Sequence, residues 1–176
     1  NLEKFVAGFE NKINDTDTIF TAEEIRTIMT KFQQNLQQKQ EETMKQESEN
    51  NKMKGEEFLA TNKTQAGVKT TASGLQYKVI REGSGPKPTA TSNVTVHYEG
   101  KLIDGSIFDS SYERGEPITF GLNQVIPGWT EGLQLMNSGS EYQLFIPSDL
   151  GYGDRNIAGI PGGSVLIFKV ELLSFE

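Results

Sequence analysis

Covalent or metal chemistry needs a nucleophile with a base, or a set of ligands, and this chain has little of either. It contains no cysteine and a single histidine, His97. Without cysteine there are no disulfides, no thiol catalysis and no zinc–thiolate site. One histidine among scattered carboxylates makes no metal constellation. In "VTVHY" (94–98) His97 falls on the strand face opposite Tyr98, which turns it toward solvent. "GSGPKP" (83–88) lacks the Lys-Ser/Thr of a phosphate loop and opens no helix. What remains is an apolar and aromatic set with few polar tips: Tyr98, Phe108, Asp109, Phe120, Val125, Ile126, Trp129, Tyr152 and Phe168. Taken singly, the phenylalanines read as core, Asp109 before two serines as a turn former, and "GYGDR" as a surface loop. Trp129 is the one tryptophan and follows Pro127-Gly128, where a helix is about to start. A large indole at a helix mouth either fills a core or floors a pocket, and its N–H needs a partner or an opening.

The elements that must position this set lie in the second part of the chain. All six prolines fall between Pro86 and Pro161, and 15 of the 18 glycines lie at or after Gly74. Both residues punctuate turns and avoid helix interiors. Residues 74–176 therefore read as strands and turns. "LQYKVI" alternates Leu75, Tyr77 and Val79 against polar neighbours, and "VTVHY" places Val94, Val96 and Tyr98 on one face. Asp104-Gly105 is a hairpin turn. "YQLFIP" and "VLIFKVELL" complete the strands, with Leu166, Phe168, Val170 and Leu172 sharing a face. A short helix begins at Pro127, its apolar period carried by Trp129, Leu133 and Met136. The expected architecture is α+β, a curved antiparallel sheet wrapped around one short helix.

The first part reads as helical. Leu2, Phe5, Val6, Phe9 and Ile13 form a stripe over 1–20, which "NDTD" breaks. Thr21-Ala-Glu-Glu24 is a capping box that opens a long helix over 21–63. At ~1.5 Å per residue that is roughly 60 Å of helix. Its apolar stripe (Ile25, Ile28, Met29, Phe32, Leu36) fades after Leu36, so the remainder predicts a solvated connecting helix, with 64–73 as a linker. Residues 1–36 carry more apolar surface than two helices bury alone, which predicts a homodimer through this segment.

Composition bounds the partners. A net charge of −7 argues against a nucleic-acid surface, and no apolar run reaches the ~20 residues of a membrane span. The chain begins at Asn1 without an apolar signal segment, as a processed or trimmed form would.

Read in order, "VTVHYEGKLIDGSIFDSSYERGEPITFGLNQVIPGWTEGLQLM…GYGDR…IPGGSVLIFKVELL" closely resembles the FKBP-type peptidyl-prolyl isomerases, the tacrolimus-binding immunophilins. The resemblance runs from about Gly74 to Glu176. With its helical leader and "SGLQYKVI", the chain is similar to the macrophage infectivity potentiator group of dimeric bacterial isomerases. The resemblance implies catalysis of X-Pro rotation in peptides and folding proteins, with no cofactor and no metal. Trp129 would floor a shallow pocket walled by Phe108, Phe120, Val125, Ile126, Phe168 and Ile160. Asp109, Tyr98 and Tyr152 would be the catalytic side chains. The Tyr152 hydroxyl and the Ile126 N–H would hold the substrate chain, and Tyr98 would hold the charge of Asp109. Proline-containing peptides and unfolded clients would be the partners, tacrolimus or rapamycin the inhibitors, and the periplasm or outer cell surface of a bacterium the location.

Two positions depart from common family patterns. The loop after Tyr152 lacks the histidine many members carry and offers Asp154 to Ile160 instead, and Pro127 stands where others often have a charge. A non-catalytic binding or chaperone module on the same fold is the alternative. The pocket needs only a few residues around proline, so residues 73–176 are expected to turn over a short peptide about as well as the whole chain.

Overall fold

The computed structural model describes Lys4, Val6 and residues 21–176. The stripe read over residues 1–20 lies outside the described residues except at Lys4 and Val6, which are both helical. The long helix α1 spans Ala22–Asn62, and its capping box forms as the sequence dictates. Thr21 N–H donates to Glu24 Oε2 at 2.7 Å, and Glu24 N–H returns the bond to Thr21 Oγ1 at 3.2 Å. Two compact units divide the chain, 1–43 and 44–176. In the first, Ile25, Ile28, Met29, Phe32 and Leu36 are all exposed. Among the described residues no helix is long and apolar enough to cross a membrane.

The second unit is a seven-stranded antiparallel sheet with one short helix against it. Its strands are β1 (Val68–Thr70), β2 (Gln76–Arg81), β3 (Asn93–Lys101), β4 (Ile107–Ser110), β5 (Ile118–Gly121), β6 (Glu141–Ile146) and β7 (Leu166–Phe175). The order is β1-β2-β6-β7-β3-β4, and β5 pairs with the other end of β3. Two short helices interrupt the strands: α2 (Ser111–Arg114) and α3 (Pro127–Leu135). One face of the sheet and α3 make the core, with Leu75, Val94, Val96, Leu144, Leu166, Val170 and Leu172 against Trp129, Leu133 and Met136.

α3 starts where a proline suits a helix, at the first position, whose N–H would have no partner anyway. It also lies unusually close to the sheet. A Cβ on Gly128 would stand 2.5 Å from Ile146 Cγ2, and one on Gly132 2.7 Å from Leu144 Cδ1. These two glycines, one turn apart, let β6 press into the helix. That fixes the height of the Trp129 ring between them.

The opposite face of the sheet is covered too. Phe145, Val165 and Ile167 point away from the core cluster yet are only 6, 4 and 6% exposed. The last part of α1 lies over this face. Phe58 meets Phe145 with ring centroids 6.1 Å apart, and Asn62 Nδ2 donates to Gln76 Oε1 at 2.9 Å. α1 is thus exposed from Glu23 through Glu47 and packs on the sheet and on the loop between β6 and β7 from Ser48 onward. The stretch expected as a linker, 64–73, contains β1, which pairs with β2 from Val68↔Lys78 to Thr70↔Gln76. By compactness the chain divides near residue 43, within α1. The cause is the run Val165-Leu-Ile-Phe168, apolar on both faces, which needs a cover on each side.

Candidate active site

Between α3 and the ends of four strands lies an open pocket of about 430 Å³. That is the size of a small-ligand site. β3 supplies Tyr98, β4 supplies Phe108 and Asp109, β5 supplies Phe120, and β7 supplies Phe168. Strand register brings several of these together, since Gly100 faces both Asp109 on β4 and Phe168 on β7. Val125 and Ile126 come from the turn before α3, Trp129 from its first turn, and Tyr152 and Ile160 from the loop joining β6 to β7. All ten residues anticipated from the sequence line this one pocket.

Trp129 is held by other rings. It makes edge contacts with Tyr98 at 5.2 Å and 88° and with Phe168 at 5.0 Å and 89°, and a tilted one with Phe120 at 5.2 Å. Phe108 in turn stands edge-on to Phe168 at 5.5 Å. Each such pair contributes ~0.5–1.5 kcal/mol beyond the area it buries, so the pocket walls are stiff. The indole is 5% exposed and its N–H has no partner among the described residues.

The polar tips gather at one edge. The Tyr98 hydroxyl donates to one carboxylate oxygen of Asp109, Arg114 Nη1 bonds the other, and Arg114 Nη2 donates to the Tyr98 hydroxyl at 2.9 Å. Burial pushes the Asp109 carboxyl up, but the bonds from Tyr98 and Arg114 outweigh it and hold the group below the usual carboxylate range. Burial, with the Asp109 bond behind it, raises the Tyr98 phenol. The pair is therefore a charged acceptor beside a protonated donor. The sequence reading missed Arg114. Its signal was present: Ser110 and Ser111 start a one-turn helix, capped by Ser110 and closed by Gly115 in the left-handed region, that returns residue 114 to residue 109.

Ser111 is fully buried, and its hydroxyl accepts from Tyr98 N–H at 2.8 Å, which anchors the strand under the phenol. His97 is not free in solvent. Its Nδ1 lies 3.0 Å from Ser111 Oγ and its ring stacks on Tyr112 at 4.8 Å, away from the pocket. At the other edge the Ile126 N–H makes no hydrogen bond to another part of the described backbone, and the Tyr152 side chain faces the same space. Ile118, Gln124, Ile157 and Ala158 complete the lining and were not anticipated. They lie on flanking segments whose apolar residues read as ordinary strand and loop positions.

Comparison with known proteins gives the same answer. A family model described as FKBP-type peptidyl-prolyl cis-trans isomerase matches residues 85–173, and one for the domain amino terminal to it matches residues 1–79. The outer membrane protein MIP of Legionella longbeachae is 43% identical over 100% of this chain and 76% of its own length. The FKBP-type peptidyl-prolyl cis-trans isomerase FkpA of Aeromonas hydrophila is 50% identical over 89% of this chain, and the match spans 58% of that protein's length. The crystal structure of FkpA from Escherichia coli superposes with a TM-score of 0.89 at 38% identity, covering 100% of this chain and 82% of that one.

Proposed function

Because the chain belongs to the FKBP-type peptidyl-prolyl cis-trans isomerases, we infer that its pocket accelerates rotation about X-Pro bonds in peptides and folding proteins. The observation that carries the reading is the joining of an aromatic floor, Trp129, to a charged edge, Asp109 with Tyr98 and Arg114, in one open cleft.

A peptide bond resists rotation by ~18–20 kcal/mol because resonance gives it double-bond character. Resonance also places charge on the carbonyl oxygen. Moving the bond into an apolar pocket disfavours that polar planar form relative to the twisted one. Proline's ring seats on Trp129 between Phe120 and Phe168. The Ile126 N–H and the Tyr152 hydroxyl anchor the substrate chain, and Asp109 holds its charge beside the substrate carbonyl. Contacts that fit the twisted amide better than the planar one lower the barrier, and no bond to the protein forms.

The same cleft is proposed as the site for tacrolimus or rapamycin. One relative is named an outer membrane protein, which supports a bacterial envelope location for this chain. The exposed stripe Ile25, Ile28, Met29, Phe32 and Leu36 supports a homodimer. In a chymotrypsin-coupled assay on an X-Pro tetrapeptide, Asp109→Leu and Tyr152→Ala are expected to lose at least tenfold in turnover with unchanged circular dichroism. Full activity in both variants contradicts the assignment of the site.

A further inference from the structure

The loop between β6 and β7 carries one wall of the pocket, with Tyr152, Ile157, Ala158 and Ile160 all on it. Its own packing is thin. Residues 154–159 are exposed, and Ile160 alone of this stretch enters the core. Internal ties close the loop: Gly163 N–H to Gly153 O at 2.8 Å, Gly162 N–H to Asn156 Oδ1 at 2.6 Å, and a mutual pair between Ile157 and Ile160. These ties fix its shape, and Ile160 and Tyr152 pack its inner side against the core cluster, but none of them holds its exposed outer side.

α1 supplies the missing attachment. Ser48 Oγ donates to Asp154 Oδ1 at 2.7 Å, and Lys52 Nζ reaches the same oxygen at 2.7 Å. Asn51 Nδ2 donates to the Gly162 carbonyl at 2.9 Å. One tie is two residues from Tyr152 and the other two residues from Ile160, so the helix holds both ends of the wall. The contact is close as well as polar. A Cβ on Gly163, whose φ is +75°, would collide with the Ser48 carbonyl, and Ser48 itself is 3% exposed. About two turns further on, a Cβ on Gly55 would stand 2.6 Å from Val165 Cγ2. Glycine is a poor residue inside a helix, and here it lets the helix reach β7. The bonds from Lys52 and Ser48 hold the Asp154 carboxyl below its ordinary range.

We propose that the α1 segment Ser48–Gly55 is a brace for the isomerase pocket, with Ser48, Asn51, Lys52 and Asp154 acting as positioning residues for the loop that carries Tyr152 and Ile160. The inference rests on the isomerase reading of the cleft. Asp154 lies in the loop after Tyr152, the stretch where the sequence departs from common family patterns. An isolated exposed ion pair does little. This one acts together with a buried hydroxyl and a backbone tie. It follows that the working pocket includes part of the leader helix, contrary to the expectation that residues 73–176 suffice for a short peptide.

The test uses the full chain with Lys52→Asp, Asp154→Lys, their combination, and Asn51→Ala. Each single variant is expected to lower kcat/KM on an X-Pro tetrapeptide threefold or more, chiefly by raising KM, with the melting temperature changed by only a few degrees. The combined exchange restores an opposite-charge pair and is expected to recover to within twofold of the parent. Single variants at parental kcat/KM overturn the brace. So does a combined variant no better than the worse single one, or a loss of activity that merely tracks a loss of stability. A parent chain without isomerase activity contradicts the proposed function instead. An active parent that loses activity with Asp109→Leu but ignores the α1 variants contradicts the brace alone.

Discussion

Asp109 carries a negative charge at the edge of an aromatic pocket, and two neighbours keep it there. Tyr98 and Arg114 both bond its carboxylate, against the upward push of burial. A carboxyl whose folded pKa is depressed contributes its stabilisation above its ordinary value of ~3.9 and loses it only as pH falls through the lower folded value. Tyr98 is shifted the other way, so it stays a donor above its ordinary range. The site therefore keeps one charge state across neutral pH. His97 touches Ser111 and Tyr112 on the far side of β3 and is outside this set. The expected profile of kcat/KM, measured by direct mixing without a protease, is flat between about pH 5 and 9. A sigmoidal fall between pH 7 and 5 contradicts the assignment, because it requires a group other than Asp109 or Tyr98.

At the scale of elements, the consequential finding is that α1 changes surroundings along its length. Phe58 packs on Phe145 and helps close the second face of the sheet. Phe58→Ala is expected to destabilise the chain by about 2 kcal/mol, less than the ~3–5 of a fully buried phenylalanine. In a unit of this size that lowers the melting temperature by roughly 5–10 °C. An unchanged transition would leave the helix a solvated connector. The core face of the sheet was legible in the sequence because Leu166, Phe168, Val170 and Leu172 alternate as a half-buried strand does. The covered face was hard to read, since Val165, Ile167 and Phe145 gave only the weaker signal of apolar residues at outward positions. The α1 residues that bond the sheet and the loop between β6 and β7, such as Asn62, Ser48 and Asn51, are polar and look solvated by type. The pocket was legible through a dense motif. Arg114 was missed although its one-turn helix was signalled, and the α1 ties were not legible because they join residues more than a hundred positions apart.

At the scale of the whole molecule, the stripe from Ile25 to Leu36 is exposed apolar surface of the kind that favours association. Phe32→Asp in the full chain is expected to convert a dimer to a monomer in sedimentation at tens of micromolar. The pocket lies in the other unit, so tetrapeptide turnover is expected to stay within twofold. Proline-limited refolding of a protein is expected to slow tenfold or more. A client holding one weak pocket finds a second at raised effective concentration only when two catalytic units are joined. Equal rates of refolding by dimer and monomer would remove the link between assembly and activity on proteins.

The central claim is that the Trp129 cleft rotates X-Pro bonds and does more than bind them. The direct measurement is nuclear magnetic resonance exchange spectroscopy on a proline peptide with both isomers visible, where uncatalysed interconversion takes tens to hundreds of seconds. Catalytic amounts of the chain are expected to produce cis–trans exchange peaks within a sub-second mixing time. Saturating tacrolimus, or the change Asp109→Leu, is expected to abolish them. Peptide resonances that shift on binding while the two isomers stay in slow exchange would contradict the account and leave a binding module in its place.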